Sequence, residues 1–387
     1  MQRSSGDSRL IGAACGTPDG AGGSGNAPAG NGQGPDGAGG IANPQTYAAL
    51  DLGTNNCRLL VAKPSRRGFQ VVDAFSRIIR LGEGLTGSGR LSEPAMQRTI
   101  EALQVCADKL RRRGVGRSRL IATEACRSAA NGSEFLDRVR EETGLALEIV
   151  SRETEAKLAV TGCASLIDQD ARTVLVFDIG GGSSELIWLD FSTEPRRRLH
   201  PLGLGADRAI RAWTSLPVGV VTLSERFGGR EVDQALYDRM VDYVANMLED
   251  FEATHRIGRQ LETGQAHLLG TSGTVTTVAG IHLALPAYDR RKVDGCWLVN
   301  GEVRSVSDRL IGMSYEERVA QPCIGRDRAD LVLAGCAILE AMLRMWPCER
   351  LRVADRGLRE GMLASMMAED GVHRRRRRSE AGPGGAW

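Results

Sequence analysis

The sequence lacks the marks of several large protein classes. No run of about 18 apolar residues occurs, so nothing in it reads as a membrane-spanning helix and no membrane partner is expected. Net charge is only +2, so no overall field argues for binding nucleic acid. The nine cysteines are odd in number, scattered, and never spaced Cys-x-x-Cys, which reads as reduced, buried thiols in a cytoplasmic protein. Only five histidines are present, none beside another or in a His-Asp pair, which argues against a histidine metal site. The N-terminus has neither the basic start and apolar core of a signal peptide nor an arginine-rich amphipathic leader. What remains is a globular composition, 42% apolar and 25% charged, in 387 residues, enough for two domains with ordinary cores.

The chain is organised around Val174 to Ile187. The apolar run Val174, Leu175, Val176, Phe177 predicts a strand ending in Asp178; three glycines and two serines make the turn, and a second strand leaves at Leu186 to Leu189. Glycines without a Cβ bring backbone N–H groups together into a concavity suited to an anionic oxygen, and the hydroxyls add donors. Asp178 and Glu185 bracket this cradle with the hard oxygen ligands that suit Mg²⁺. Taken alone, the loop reads better as a plain hairpin turn. The pattern, however, recurs: Leu50 to Leu60 aligns without a gap onto Phe177 to Ile187, with Asp51 on Asp178, Gly53 on Gly180 and Leu59 on Leu186. Two hairpins of one design imply a duplicated domain. A third hydroxyl-rich loop, Gly270-Thr271-Ser272-Gly273-Thr274, follows the apolar His267-Leu268-Leu269 and precedes a helix-like run.

Residues 1–43, rich in Gly, Ala, Ser, Asn and Pro, cannot bury enough surface to offset the entropy of ordering and are expected to be disordered. Strands follow at Tyr47 to Leu50 and Phe69 to Phe75. Ile78 to Arg90 reads as a loop, either near a polyanion or simply exposed. Ser92 caps a helix that Gly114 stops, and Arg119 to Ala122 predicts a strand that delivers Arg127 to its end, with Glu124 as its salt-bridge partner; structural and functional readings of Arg127 are even. A helix ending at Gly144, a strand at Leu147 to Val150 and a helix capped by Ser151 come next. Spacing alone makes Glu155 an ordinary first-turn carboxylate. Leu202 to Ala206 leads into a helix, Asp233 to Phe251 is a long amphipathic helix, and Tyr288 to Gly295 reads as a solvated charged loop. Arg328 to Trp346 predicts a buried helix, Arg350 to Ala354 a last strand, and Asp355 to Gly361 the opening of a closing helix. The basic tail, residues 372–387 with Arg374 to Arg378, is expected to be disordered.

Together, Asp51-Leu52-Gly53-Thr54-Asn55, Ala122-Thr123-Glu124-Ala125-Cys126-Arg127, Asp178 to Leu186, Gly270 to Thr274 and Gly357-Leu358-Arg359-Glu360-Gly361 resemble the exopolyphosphatase and guanosine pentaphosphate phosphohydrolase (Ppx/GppA) family, a branch of the actin and hexokinase superfamily. The resemblance implies an α/β fold of two ribonuclease-H-like domains with an active-site cleft between them: residues 44–151, completed by 355–371, and residues 152–354. It implies Mg²⁺-dependent release of terminal phosphate from inorganic polyphosphate, with guanosine pentaphosphate as the alternative substrate; no specific nucleic acid partner is expected, and a homodimer is. Glu155 matches the family's general base, Arg127 its phosphate-contacting arginine, and Asp178 and Glu185 its metal-associated carboxylates. Phosphate binding falls to Asp51, Gly53, Thr54, Asn55 and Asn56, to Gly180, Gly181, Gly182, Ser183 and Ser184, and to Gly270, Thr271, Ser272 and Gly273. Thr154 replaces the first of the usual paired glutamates, and Asn56 stands where a Ser or similar small residue is usual. Those departures keep open a third reading, a catalytically weak polyphosphate or alarmone sensor. Nothing after Asp370 resembles the family's optional helical domain, as expected of a short, two-domain form.

Overall fold

In Tyr47–Leu52 (β1), Ala48, Leu50 and Leu52 pack on one side and Tyr47 and Ala49 on the other, and all five are buried. A strand buried on both faces belongs in the middle of a sheet with helices on each side. The computed structural model, which describes residues 45–66, 68–192, 202–262 and 264–372, places it there. The glycine-rich N-terminal extension, the Arg196 to Arg198 run and the arginine tail lie outside the described residues.

The first sheet adds Asn56–Ser65 (β2), Gly68–Ile78 (β3), Arg117–Ala122 (β4) and Glu148–Ile149 (β5), in the order β3-β2-β1-β4-β5. Its first three strands are antiparallel, while β4 and β5 run parallel to β1. The second sheet repeats the plan with Thr173–Ile179 (β6), Ser184–Asp190 (β7), Ile210–Leu216 (β8), Ala266–Thr271 (β9), Trp297–Leu298 (β10) and Leu351–Ala354 (β11). Its order is β8-β7-β6-β9-β11-β10, the same five-strand arrangement with β10 added antiparallel at the edge. Two copies of this mixed sheet make the ribonuclease-H-like pair of the actin and hexokinase fold.

Helices cover both faces of each sheet. Glu93–Arg112 and Gly132–Thr143 pack on one face of the first, and Leu358–Glu369 on the other. On the second sheet, Gln234–His255, Gly273–His282 and Val332–Met345 cover one face and Arg152–Cys163 the other. The chain crosses between the halves at two helices. Arg152–Cys163 follows the first sheet and packs on the second; Leu358–Glu369 follows the second and packs on the first. They cross at glycines: a Cβ on Gly162 would stand 1.8 Å from the Gly357 carbonyl oxygen, and one on Gly361 2.0 Å from that of Leu158.

Most expected boundaries hold: Ser92 accepts from the Ala95 N–H, Ser151 from that of Thr154, and Gly144 ends its helix in the left-handed region at φ 74°. Three expectations need correction. The segment after Leu202 makes only a 3-10 turn, Ala206–Ala209, and then becomes β8, because β-formers follow and pair along β7. Arg127 sits not in a bare polar segment but in a one-turn helix, Glu124–Ser128. The Tyr288 to Gly295 segment is not simply solvated: Arg290 pairs with Glu360 and Asp355. The eight described cysteines are all free, and all but Cys296 are buried. Among the described residues no helix is long and apolar enough to cross a membrane.

Candidate active site

The two repeated hairpin loops meet at the cleft. Each closes in the same way, Gly53 N–H donating to the Asn56 carbonyl and Gly180 N–H to that of Ser183, both at 2.9 Å. None of these loop glycines has positive φ. They are needed for close approach: a Cβ on Gly181 would lie 2.9 Å from Thr54 Cβ and 3.1 Å from Asn55 N, and one on Gly182 2.9 Å from Thr54 Oγ1. Neighbouring elements turn the loop carbonyls outward. Asn55 O accepts from Ile79 N–H and Thr54 O from Gly82 N–H, while Gly180 O and Gly181 O accept from Val220 and Val221 N–H. The N–H groups of Thr54, Asn55, Gly181, Gly182 and Ser183 have no partner among the described residues. Consecutive free N–H groups in a turn of this kind form a concavity that suits an anion.

A third wall comes from Ser272, which precedes helix Gly273–His282 with φ at 138°, a region costly for a residue with a side chain and most often kept at functional sites. Its Oγ is buried without a partner, as are Asn55 Oδ1 and Asn56 Oδ1. Three orphaned polar atoms thus cluster at one concavity, and either amide, turned about, would present its NH₂ to an anion.

Carboxylates close the other side. Asp51 and Asp178 are the penultimate residues of their strands, and in the register Asp51 faces Arg58 while Asp178 faces Glu185. Burial pushes Asp178 up to about 8, with Glu185 and Asp51 adding to the effect. Burial also raises Asp51 and Glu185, although Ser183 and Ser215 hydroxyls at 2.8 and 2.9 Å support the latter. Glu155, in the first turn of Arg152–Cys163, is raised well above the carboxylate range by burial and then by Glu185, against the pull of Arg127. All four line one cavity of about 140 Å³ together with Thr54 to Asn56, Gly180 to Ser183, Ser272 and Gly273.

A sequence model described as the Ppx/GppA phosphatase family matches residues 60–370. The chain belongs to this family. It is 30% identical over 334 residues to guanosine-5'-triphosphate,3'-diphosphate pyrophosphatase of Photobacterium profundum, covering 86% of this chain and 61% of that protein. It therefore spans about three fifths of that relative's length. The crystal structure of the Aquifex aeolicus Ppx/GppA family member superposes with a TM-score of 0.67 at 28% identity, covering 84% of this chain and 98% of that one. An exopolyphosphatase from Cytophaga hutchinsonii, at 23% identity, shares the fold with a TM-score of 0.73 over 84% of this chain and 98% of its own.

Against the sites implied by the Ppx/GppA resemblance, the geometry sorts the residues. The cavity gathers Asp51, Gly53 to Asn56, Glu155, Asp178, Gly180 to Ser183, Glu185, Ser272 and Gly273. Ser184 and Gly270 stand off it: Ser184 Oγ donates to the Val218 carbonyl, and Gly270 makes room for the Phe177 ring. Thr271 lies on the adjoining groove, its hydroxyl donating to the Arg356 carbonyl. Arg127 does not line the cavity. Its guanidinium bonds Glu124 at 2.6 Å, the Val150 carbonyl at 2.7 Å and Glu155 at 3.2 Å, so in this conformation it faces the carboxylates rather than the cradle. Of the two departures from the family pattern, Asn56 lines the cavity, whereas Thr154 bonds Ser151 outside it.

Sequence reasoning missed three arginines. The cavity opens into a groove of about 670 Å³ that Arg58, Arg328 and Arg359 line, and among the described residues none of the three side chains forms an ion pair. The repeat itself points to Arg58, which occupies the position equivalent to Glu185; Arg359 lies in the Gly357 to Gly361 motif of the resemblance, where no role was assigned to it, and Arg328 carries no such signal. The site also fits a divalent cation. Four carboxylates with raised pKa values are a surplus of buried negative charge, and the cross-strand pair Asp178 and Glu185 supplies hard oxygen donors side by side. Among the described residues no three acidic, His or Cys side chains form a complete metal cage. Mg²⁺ needs none, since one or two carboxylates, waters and phosphate oxygens complete its octahedron.

Proposed function

We propose that this chain is a Mg²⁺-dependent phosphoanhydride hydrolase that releases terminal phosphate from inorganic polyphosphate by attack of water. The observation that carries the reading is the set of five unpartnered N–H groups on residues that line a cavity with Glu155 on its wall. Those donors hold the terminal phosphate from two sides, and being fixed in advance they cost no reorganisation as charge shifts. Mg²⁺ held by Asp178 and Glu185 would neutralise charge on the phosphate oxygens. Glu155 orients the attacking water and accepts its proton; a carboxylate raised by burial is a stronger base than one at its ordinary value. Arg127 fixes the Glu155 carboxylate, and Glu124 fixes Arg127.

Purified protein with long-chain polyphosphate and Mg²⁺ tests this. Release of single phosphates, lost on chelation and in a folded Glu155→Gln variant, is expected; near-full turnover by that variant would refute the role of Glu155. Guanosine pentaphosphate is the second reading, favoured by the activity named for the Photobacterium relative and by Tyr288, whose exposed ring lines the groove and offers a face for a base. A higher kcat/KM on guanosine pentaphosphate than on polyphosphate would select it. Metal-dependent binding of the polymer with no release would select a sensor.

A further inference from the structure

A leaving phosphate chain gains negative charge as its bond to phosphorus breaks, and none of the groups assigned so far meets it. In the hydrolysis just proposed, on which this inference rests, the water oxygen bonds to the terminal phosphorus and the bond to the bridging oxygen breaks. The electron pair stays on that bridging oxygen, Glu155 receives one water proton, and the released phosphate keeps the other. In-line displacement puts the leaving oxygen opposite the attacking water.

The two sides of the site are lined differently. Glu124 and Glu155 line only the inner cavity, which fixes the side of the water. Asp51, Arg58, Asp178, Ser272 and Gly273 line both cavity and groove and so mark the junction where a phosphate chain would leave. Arg359 lines the groove at that end and interacts through space with Asp51, Asp178 and Arg58.

Arg359 is the second residue of helix Leu358–Glu369. The adjacent Glu360 is its strongest favourable charge but forms no bond with it, being engaged elsewhere: one oxygen accepts from the Gly357 N–H at 2.9 Å and the other from Arg290 at 3.0 Å. Among the described residues the Arg359 guanidinium makes no hydrogen bond and no ion pair; burial opposes its charge most, Glu360 favours it, and the nearby Arg58 again opposes it. An arginine needed only to balance Asp51 or Asp178 would pair with one of them. We propose that Arg359 is a catalytic residue for the departure step, its guanidinium stabilising the bridging oxygen of the leaving phosphate chain.

The test uses the full chain with Mg²⁺ and three tripolyphosphates in which the bridge remote from the scissile bond is CF₂, O or CH₂, an order of rising leaving-group basicity. Arg359→Ala and Arg359→Lys are compared with wild type. The expected loss in kcat on tripolyphosphate is about 10²-fold, in the range seen when a single oxyanion donor is removed. The loss should grow from the CF₂ to the CH₂ substrate, and added guanidinium ion should restore part of it in the alanine variant. A loss by the same factor on all three substrates, or a rise in KM with kcat unchanged, would overturn the assignment. If the alanine variant does not fold, the lysine variant carries the same comparison across the three substrates. Absence of turnover by wild type would remove the hydrolase reading itself, and this assignment with it.

Discussion

Replacing Gly361 by alanine sets two physical effects against each other at the crossing of the connecting helices. By helix propensity alone the change stabilises by about 1 kcal/mol, since alanine gives up less backbone freedom than glycine. The contact opposes it: the new Cβ would stand 2.0 Å from the Leu158 carbonyl oxygen and 2.8 Å from its carbon. Both opposing atoms are backbone, so no side chain can swing away, and the helices must part by roughly 1 Å. Overpacking of this kind costs about 1–3 kcal/mol, and the upper end applies where backbone meets backbone. The expected net effect is a loss of about 1–2 kcal/mol, read as a lower midpoint in equilibrium urea unfolding with the slope unchanged. Gly301→Ala is the control, because Gly301 is also helical and a Cβ there meets nothing within 4 Å. It should leave the midpoint unchanged or raise it. A Gly361→Ala protein as stable as Gly301→Ala would refute the reasoning.

Two further substitutions read other parts of the molecule. Arg127→Ala should lower kcat for phosphate release by about 10²-fold with KM little changed, because the guanidinium holds Glu155 and lies off the cavity; a KM effect alone would return Arg127 to direct phosphate contact. Asp73, bonded to Lys109 at 2.7 Å and Arg113 at 2.8 Å, is held down to about 2, below its unfolded value near 3.9. Its contribution is therefore complete above about pH 4 and fades as pH falls toward 2. Solvent screening limits it to about 1 kcal/mol. The stability gap between wild type and Asp73→Asn, measured by urea unfolding, should shrink by that amount from pH 5 to pH 2; a constant gap would contradict it.

What could be read from the chain depended on how local its cause is. The hairpins at Asp51 and Asp178 are legible because a buried strand, a small-residue turn and a second strand lie within about a dozen residues, and the gapless repeat confirms each with the other. Glu124 as partner of Arg127 is a neighbour three positions away. Glu155 as its second partner is not, since the pairing depends on a helix from the far side of a sheet. The purpose of Gly181 and Gly182 is equally hidden, as the atoms they make room for belong to Thr54 and Asn55, over a hundred residues earlier. β8 misleads because Leu202 to Ala206 looks like a helix entry, and the short run of β-formers after it becomes decisive only through its pairing with β7. Arg328 and Arg359 start from charged segments near helix beginnings, and only the return of the chain sets them on one groove.

The two hairpin loops carry opposite charges at one pair of equivalent positions, and that difference gives the site a direction. The scaffold is nearly symmetric: each half offers an aspartate at the same place on its central strand and a loop closed by the same bond. A wholly symmetric site would accept a chain of phosphates in either orientation. Seven residues past each aspartate, one copy carries Glu185 and the other Arg58, so the halves present opposite charges at equivalent points. Under the proposed function, a polyanion in the cleft would meet a built-in polarity, its cation-bearing terminus drawn to one half and its trailing phosphates to the other. On that same function, this reversal of charge at equivalent positions is what would tell the two ends of the ligand apart.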